Sequence, residues 1–397
     1  MTDTKINFAV IGAGLLARAA HIPNILGMQD ATLHTCCDLD DKALQECARL
    51  APGVRLSKDF RAVINDPAVD ALVVATTENF RLPVIEEIAK ARKPAYCEKP
   101  LAKNLDEALQ IQRLVQESGI PFCVGHNRRC SPALVDAQRI FSSHMKDPKP
   151  CPWRYYREET GRIKLEHEDG LAGIAIIIND DWRSWKAVHM EGQNAEIGLL
   201  LSENTHFVDV ACWFLQAEPV EVTTVFSGVL LHQVTIKFEG GHLASIMSCA
   251  NGSFGYPKEF YQAMGRGGVV VVDHMLEVRT AGIEGAPLIQ TYPMLGDKHP
   301  EIGTEGGHHG WLKKKNAACQ AAAKSGRSLD QFTAEPDRGH ARMLSEFVRE
   351  IRGERPPVSP VENAVRALRI CLASVKSKRE NRPVSLKDFP EAVGEGT

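Results

Sequence analysis

Long apolar runs are missing from this chain. No stretch of its 397 residues approaches the ~20 uninterrupted apolar side chains that a bilayer-spanning helix needs. It begins MTDTKINFAVIGAG, without the basic, apolar and small-residue regions of a secretory leader in order. A charge excess is missing too: 47 Lys and Arg stand against 50 Asp and Glu, a formal net charge of -3. With no basic excess to displace counterions from phosphates, a general nucleic-acid binder is excluded, although a local patch for an anionic ligand is not. The 11 cysteines are odd in number and spread from Cys36 to Cys371, with no Cys-x-x-Cys pair and no zinc-ligand spacing. They read as small buried hydrophobes in a reducing compartment, not as a disulfide framework. Internal repeats and low-complexity tracts are also absent. These absences predict a cytoplasmic protein whose partner is a small molecule, not a nucleic acid or a membrane.

What is present is core material for two to three domains, with 44% hydrophobic and 24% charged residues. Residues 1–126 alternate strand-like and helix-like segments: apolar runs at Ile6–Ile11, Ala31–Cys37, Ala71–Ala75, Ala95–Cys97 and Pro121–Gly125, with helical patterns between them. This spacing predicts βαβ units and a parallel sheet covered on both faces, a Rossmann-type α/β domain. From 127 to 397 the pattern changes to α+β. A helix at Pro132–Ser142 precedes strand-like runs at Ala172–Ile178, Val220–Ser227, His232–Phe238, His242–Cys249, Glu259–Met264 and Val269–Val272. A helix is predicted at Ser202–Leu215, and two more near Asp337–Arg352 and Val361–Lys378. Turn signals such as Glu239-Gly240-Gly241 predict a large, open, mostly antiparallel sheet. The Gly-rich stretch from Gly296 to Gly310 reads as a long loop.

Gly12-x-Gly14-x-x-Ala17 follows an apolar strand and opens a helix. The first glycine permits the tight turn and the second lets backbone approach a pyrophosphate. Ala17 lets helix and strand pack closely, and the helix N-terminus at Leu15 and Leu16 supplies amide donors. Asp38 ends the second strand 26 residues after Gly12, where an acid can bond the adenosine ribose hydroxyls. A carboxylate there repels a 2′-phosphate and its neighbour Leu39 offers no cation, so NAD is favoured over NADP.

Tyr96-Cys97-Glu98-Lys99-Pro100-Leu101-Ala102, with the glycine turn and His206-Phe207-Val208-Asp209, resembles the glucose-fructose oxidoreductase, inositol dehydrogenase and MocA family. The resemblance runs from about Ile6 to Leu386. It includes Thr76-Thr77, Asn127-Arg128-Arg129 and Arg382-Pro383-Val384. It implies an N-terminal Rossmann domain (1–126) and a C-terminal α/β domain for substrate and oligomer contacts (127–397), in a homodimer or homotetramer. It also implies pyridine-nucleotide chemistry on sugars, cyclitols and related polyols. By the same resemblance Thr76, Thr77, Glu98, Lys99 and Asn127 join Gly12, Gly14, Leu15, Leu16 and Asp38 as cofactor contacts. Lys99 and His206 become the acid–base pair, with Arg128 and His206 against the substrate.

The residues themselves support part of this. A lysine beside a cationic nicotinamide and partly desolvated has a lowered pKa and can exchange a proton, although by itself Lys99 reads as an exposed lysine before Pro100. Glu203, His206 and Asp209 are spaced three apart and share one face if a helix begins there. A lone histidine on such a face is more often a core residue, so the role of His206 depends on the resemblance. The chain also departs from the family. Most members carry an aspartate four residues before the histidine and a glycine two before it, where this chain has Ser202 and Asn204. Glu203 is the nearest acid, as in a branch with Glu-x-x-His, and a shift of one position turns its direction by about 100°. Arg81 stands where the family's histidine after the third strand is usual.

Trp182-Arg183-Ser184-Trp185-Lys186 resembles the family's Trp-Arg element, with Trp182 and Trp185 equally eligible to stack on a sugar and Arg183 and Lys186 to grip it. Arg157 and Arg162 lie in a basic run that reads first as a solvated loop and, more sharply, as a grip for a carboxylated or sulfonated sugar. His308-His309 lacks further ligands nearby, so no metal is expected. The leading expectation is an NAD-dependent oxidoreductase. Hydride leaves a ring carbon for nicotinamide while Lys99 or His206 takes the hydroxyl proton, with Glu203 as the replacement acid. The alternative is a redox-neutral, NAD-dependent glycoside hydrolase working by oxidation, elimination, water addition and reduction. A non-catalytic cofactor-bound sensor is the third reading, and intact Lys99 and His206 argue against it.

Overall fold

The computed structural model describes residues 5–148, 170–182, 198–295, 307–325, 335–387 and 389. The chain divides into two compact units. One gathers the chain through Cys130 together with Gly339–Leu372, and the other holds Ser131–Arg338 and Ala373–Phe389. The chain thus returns to its first unit after leaving it, a path that a linear boundary at 126/127 does not express.

In the first unit the described strands are β1 (Ile6–Ile11), β2 (Ala31–Cys37), β3 (Arg55–Ser57), β4 (Ala71–Val74), β5 (Ala95–Cys97) and β6 (Phe122–Val124). They form a parallel sheet of order β3-β2-β1-β4-β5-β6. Phe8 to Ile11 and all of β4 are buried, as strands covered on both faces must be. Several of the intervening helices begin on side-chain caps: Asp40 accepts the Lys42 N–H and Asn104 the Glu107 N–H, satisfying donors a helix start leaves open. Strand order reverses between β1 and β4, which opens a crevice at the carboxyl ends of the strands. The returning helix His340–Ile351 buries Met343, Leu344, Phe347 and Val348 in the same core as Phe8, Val10 and Tyr96. The Phe347 ring lies 6.3 Å from Phe8 and 6.2 Å from Tyr96.

The described strands of the second unit are β7 (Ala172–Asn179), β8 (Pro219–Ser227), β9 (Leu231–Phe238), β10 (Leu243–Cys249), β11 (Glu259–Gly265), β12 (Gly268–Asp273), β13 (Glu277–Ala281), β14 (Ile289–Thr291), β15 (Met294–Leu295), β16 (Glu335–Pro336) and β17 (Val384–Ser385). Among the described residues nine of them make one sheet, β14-β13-β12-β11-β7-β10-β9-β8-β17, antiparallel except for the parallel β7–β10 pair. The helices Pro132–Lys146 and Asn204–Leu215 cover one face and touch each other through Phe141 and Phe214. On the other face exposed apolar side chains recur on three strands, with polar Ser245 and Gln262 among them. Met247 pairs with Ile177 and Ile177 with Phe260, while Leu243 and Met264 flank Gly173.

The predicted fold class, Rossmann α/β followed by α+β with a large, mostly antiparallel sheet, is the observed one. The short strands β3 and β13 to β16 have no counterpart in the sequence reading, and the stretch Gly296–Gly310 is not loop throughout, because a helix Gly307–Lys324 begins inside it. Its described buried positions are Gly307, His308, Trp311 and Lys315, with one large apolar side chain among them, so no 3.6-residue hydrophobic pattern marks it. Residues 296–306 lie outside the described part.

Candidate active site

The glycine turn lies over the end of β4. Gly12 has φ +91, and a Cβ there would sit 2.6 Å from the Thr76 amide nitrogen and 2.8 Å from the Ala75 carbonyl oxygen. Only glycine fits that conformation at that distance. A Cβ on Gly14 would meet nothing within 4 Å, which leaves open space beside the backbone where the chain enters its helix. That helix makes a π turn over Ala17–His21 and continues as an α-helix over Ile22–Gly27. Ala17 is buried, and Leu15 and Leu16 are exposed.

Asp38 faces this turn. Its Oδ2 accepts the Ala13 N–H at 2.6 Å and its Oδ1 the Asp40 N–H at 2.9 Å. A carboxylate accepts about four hydrogen bonds, so capacity remains for two ribose hydroxyls. Gly12, Gly14, Asp38, Thr76 and Thr77 line a cleft of about 710 Å³ with Leu39, Phe60, Phe80, Pro83 and Val84. Lys58 and Arg61 line it as well. Lys58 is paired with Asp41 at 2.8 Å and Arg61 stacks over Phe60 at 4.6 Å. Lys58 directly follows β3 and Arg61 lies in the helix Phe60–Ile64 after it, so the argument from Leu39 alone overlooked them.

The Glu98-Lys99 segment is held by two groups the motif does not contain. His21, fully buried on the π turn, contacts Glu98 Oε1 through Nε2 at 2.8 Å. Burial pushes the Glu98 carboxyl up, but the His21 hydrogen bond and charge, with Lys99 and His340, outweigh it and hold the group near about 2. Glu98 Oε2 accepts the Lys99 N–H at 3.1 Å, and a Cβ on Gly125 would crowd Glu98 Oε1 at 3.0 Å. Arg81 is buried, and its Nε and Nη2 donate to the Thr76 carbonyl at 3.1 and 2.9 Å. Nη2 also reaches the Lys99 carbonyl at 3.2 Å. Arg81 therefore ties together the turns that follow β4 and β5. Buried Thr76 Oγ1 and Arg81 Nη1 have no partner among the described residues, and Thr76 lines the cleft, so a hydroxyl there is open to a bound group. The glycine cradle, the open space at Gly14 and this hydroxyl fit a dinucleotide. Asn127 and Arg128 are buried in a 3₁₀ turn, where Arg128 donates to Asn127 Oδ1 at 3.1 Å. Asn127 Nδ2 lies 3.4 Å from His340 Nδ1.

The remaining sequence candidates belong to the second unit. His206 is buried near the start of the helix Asn204–Leu215, which a π turn over Leu199–Glu203 precedes. Glu203 therefore sits at the junction between the two kinds of turn. Its Oε2 lies 3.2 Å from Lys258 Nζ, and the same ammonium is 2.9 Å from Asp180 Oδ2. Ser202 donates to the Gly198 carbonyl at 2.5 Å, and Asn204 Oδ1 accepts from Ser248 at 2.7 Å. Lys258 also lines a cavity of about 370 Å³ with Asp181, Phe254, Tyr256, His274, Lys315 and Arg338. Trp182 follows Asp181 and is partly exposed. Arg157, Arg162, Arg183, Trp185 and Lys186 lie outside the described residues. Among the described residues no group of three or more His, Cys, Asp or Glu could hold a metal. His308 instead pairs through Nδ1 with Asp273 at 3.1 Å.

Sequence reasoning missed His21, Lys58, Arg61 and Lys258. His21 falls nine residues after Gly12, but its partner is 77 positions away, and no local pattern joins them.

A parallel sheet of order 3-2-1-4-5-6 with a glycine turn and an acid at its crevice defines a dinucleotide-binding Rossmann protein. Residues 6–126 match the oxidoreductase family described by its NAD-binding Rossmann fold. The chain is similar to proteins of that glucose-fructose oxidoreductase, inositol dehydrogenase and MocA family, whose match covers its Rossmann part. It is 22% identical over 395 residues to the myo-inositol 2-dehydrogenase of Thermotoga maritima, covering 96% of this chain and 99% of that protein. It is 25% identical to inositol 2-dehydrogenase 2 of Saccharopolyspora erythraea, over 72% of this chain and 79% of the other. The fold is similar to that of scyllo-inositol dehydrogenase from Lactobacillus casei, solved with NAD(H) and scyllo-inositol. The TM-score is 0.69 at 16% identity, covering 97% of this chain and all of the other.

Proposed function

We propose that this protein is an NAD-dependent dehydrogenase of a polyol, with a cyclitol or sugar hydroxyl as its target. The observation that carries the reading is the crevice itself: Gly12 packed on Thr76 and Asp38 facing the glycine turn, in a chain similar over nearly its whole length to a myo-inositol 2-dehydrogenase. NAD, when bound, supplies the hydride acceptor. Gly14, Leu15 and Leu16 offer the backbone donors for its pyrophosphate, and Asp38 the acceptor for ribose hydroxyls. Lys99, held by Glu98 and by the Arg81 bond to its carbonyl, and His206 are the groups that take and return the hydroxyl proton. Asp38 favours NAD, whereas Lys58 and Arg61 are the residues through which a 2′-phosphate could still be tolerated. The apolar sheet face around Ile177, Met247 and Met264 supports a homodimer or homotetramer joined through it.

The test incubates the protein with NAD and a panel of myo-inositol, scyllo-inositol, neutral sugars, sugar acids and glycosides, following NADH absorbance and free sugar together. Stoichiometric NADH from a cyclitol or sugar is the expected result. Glycoside cleavage over many turnovers without net NADH would replace this reading with the redox-neutral hydrolase. No NADH from any polyol, with NAD binding intact, would remove it.

A further inference from the structure

Lys258 belongs to no motif, yet it lies where three segments of the second unit meet. Its backbone is fixed on both sides: the Asn179 N–H donates to the Lys258 carbonyl at 2.8 Å, and the Lys258 N–H donates to His274 Nδ1 at 3.2 Å. Its side chain is only 14% exposed, and its ammonium reaches Asp180 at 2.9 Å and Glu203 at 3.2 Å. Asp180 directly follows β7 and is buried, with its Oδ1 accepting the Asp181 N–H at 2.7 Å. Glu203, 19% exposed, closes the π turn that leads into the His206 helix. Two carboxylates share one ammonium in a part of the protein largely removed from water. The ammonium favours the ionised form of both carboxylates there.

This bears on acid–base chemistry three residues from His206. A carboxylate 3.2 Å from a buried ammonium is a poor proton acceptor, because protonation would break the ion pair and leave Lys258 with Asp180 alone. Glu203 is then not the acid that replaces the family's aspartate. Without Lys258, both carboxylates would lose that favourable charge and would bind a proton more readily.

We propose that Lys258 is a positioning residue for the acid–base end of the second unit: it locks Glu203 as an ionised, non-exchanging anchor between β7 and the His206 helix, leaving proton exchange to His206. This rests on the reading of the site as that of a polyol dehydrogenase. Burial pulls the Lys258 ammonium toward lower pKa, but Glu203 and Asp180 raise it above the ordinary lysine value, Arg338 working against them and Glu259 with them. His274 is pushed well down by its burial, so it is neutral and adds no charge, while Asp181, Lys315 and Glu335 line the same cavity.

The experiment compares Lys258→Met, Lys258→Arg and the double variant Lys258→Met/Glu203→Gln with the wild type, using the full chain. Thermal unfolding is followed from pH 5 to pH 8, together with NAD binding and the pH profile of kcat on whichever polyol the panel identifies. We expect Lys258→Met to lose stability relative to wild type increasingly as pH rises, as the carboxylates that have lost the Lys258 charge ionise. Its kcat should fall tenfold or more while NAD affinity is kept, and the acid limb of its kcat profile should move up by about one pH unit. Lys258→Arg should behave as wild type, and the double variant should regain most of the lost kcat. Equal losses in Lys258→Met and Lys258→Arg, with an unmoved profile and no added pH dependence of unfolding, would overturn the proposal. The unfolding data need no substrate, so they judge the ion-pair lock even if the polyol reading fails. Full activity in His206→Gln would overturn that reading instead.

Discussion

The two units assemble their candidate sites from different materials. In the first, the crevice is shaped by main chain: a glycine with φ +91 against the Thr76 amide, a carboxylate bonded to the Ala13 N–H, and an arginine that grips two carbonyls. In the second, charged side chains join the elements, with Lys258 between Asp180 and Glu203 beside the His206 helix and, on β12 and β13, Arg279 between Asp273 and Glu277. A backbone-built site tolerates a change of charge but not of shape. A charge-built site tolerates small changes of shape but not the loss of one ion. This contrast can be tested from both sides.

The largest expected effect is on chemistry. Lys99→Met and His206→Gln, one in each unit, should each lower kcat on the identified polyol by about 10²–10⁴-fold while leaving NAD binding in place, as read by steady-state kinetics and NADH fluorescence. If only one of the two variants loses activity, the acid–base role lies in a single unit. Next, Gly12→Ala should weaken NAD binding by roughly a hundredfold, about 3 kcal/mol, because a Cβ must displace the Thr76 turn. Isothermal titration checks this, and unchanged affinity would remove the glycine turn from the site.

Stability should show a pH dependence of similar size in the first unit. Burial raises the Glu350 carboxyl to about 7, against partial lowering by the Phe122 backbone and Arg355. Its folded pKa lies above its ordinary value of 4.5, so unfolding releases a proton between the two. Its contribution is therefore full below 4.5 and is lost as pH rises through 7. Glu350→Gln should flatten that slope and gain up to about 3 kcal/mol over wild type at pH 8, with little change at pH 4. Chemical denaturation at both pH values measures it. His232 in the second unit should slope the other way. Burial and Lys378 lower it to about 4, so its contribution is lost as pH falls from 6.5 through 4. The smallest expected effect is on cofactor choice. Asp38→Asn should shift kcat/KM about tenfold from NAD toward NADP, because Lys58 and Arg61 line the same cleft. A larger gain for Lys58→Met/Asp38→Asn than for Asp38→Asn alone would show that Lys58 takes no part.

Much of the first unit was legible in the linear chain. Parallel strands buried on both faces are short apolar runs, and Gly12, Gly14 and Asp38 are local features at fixed spacing, so their roles can be read without folding anything. The helix Gly307–Lys324 was not legible, since Trp311 is the one large apolar side chain among its described buried positions and a lysine run lies beside it. Nor was the return of His340–Ile351 to the first core, because its amphipathic pattern says that a face is buried but not against what.

The amino-acid order by itself determined most of the strands and helices, the turn that only glycine can make, and the resemblance to a family. Tertiary structure alone decided that His21 meets Glu98, that Arg81 spans the Thr76 and Lys99 carbonyls, and that Glu203 is tied to Lys258. The physical reason is range. Helix and strand patterns and tight turns are written within a few residues, whereas an ion pair depends on which segments the packed core brings within about 4 Å, and that distance has no counterpart along the chain.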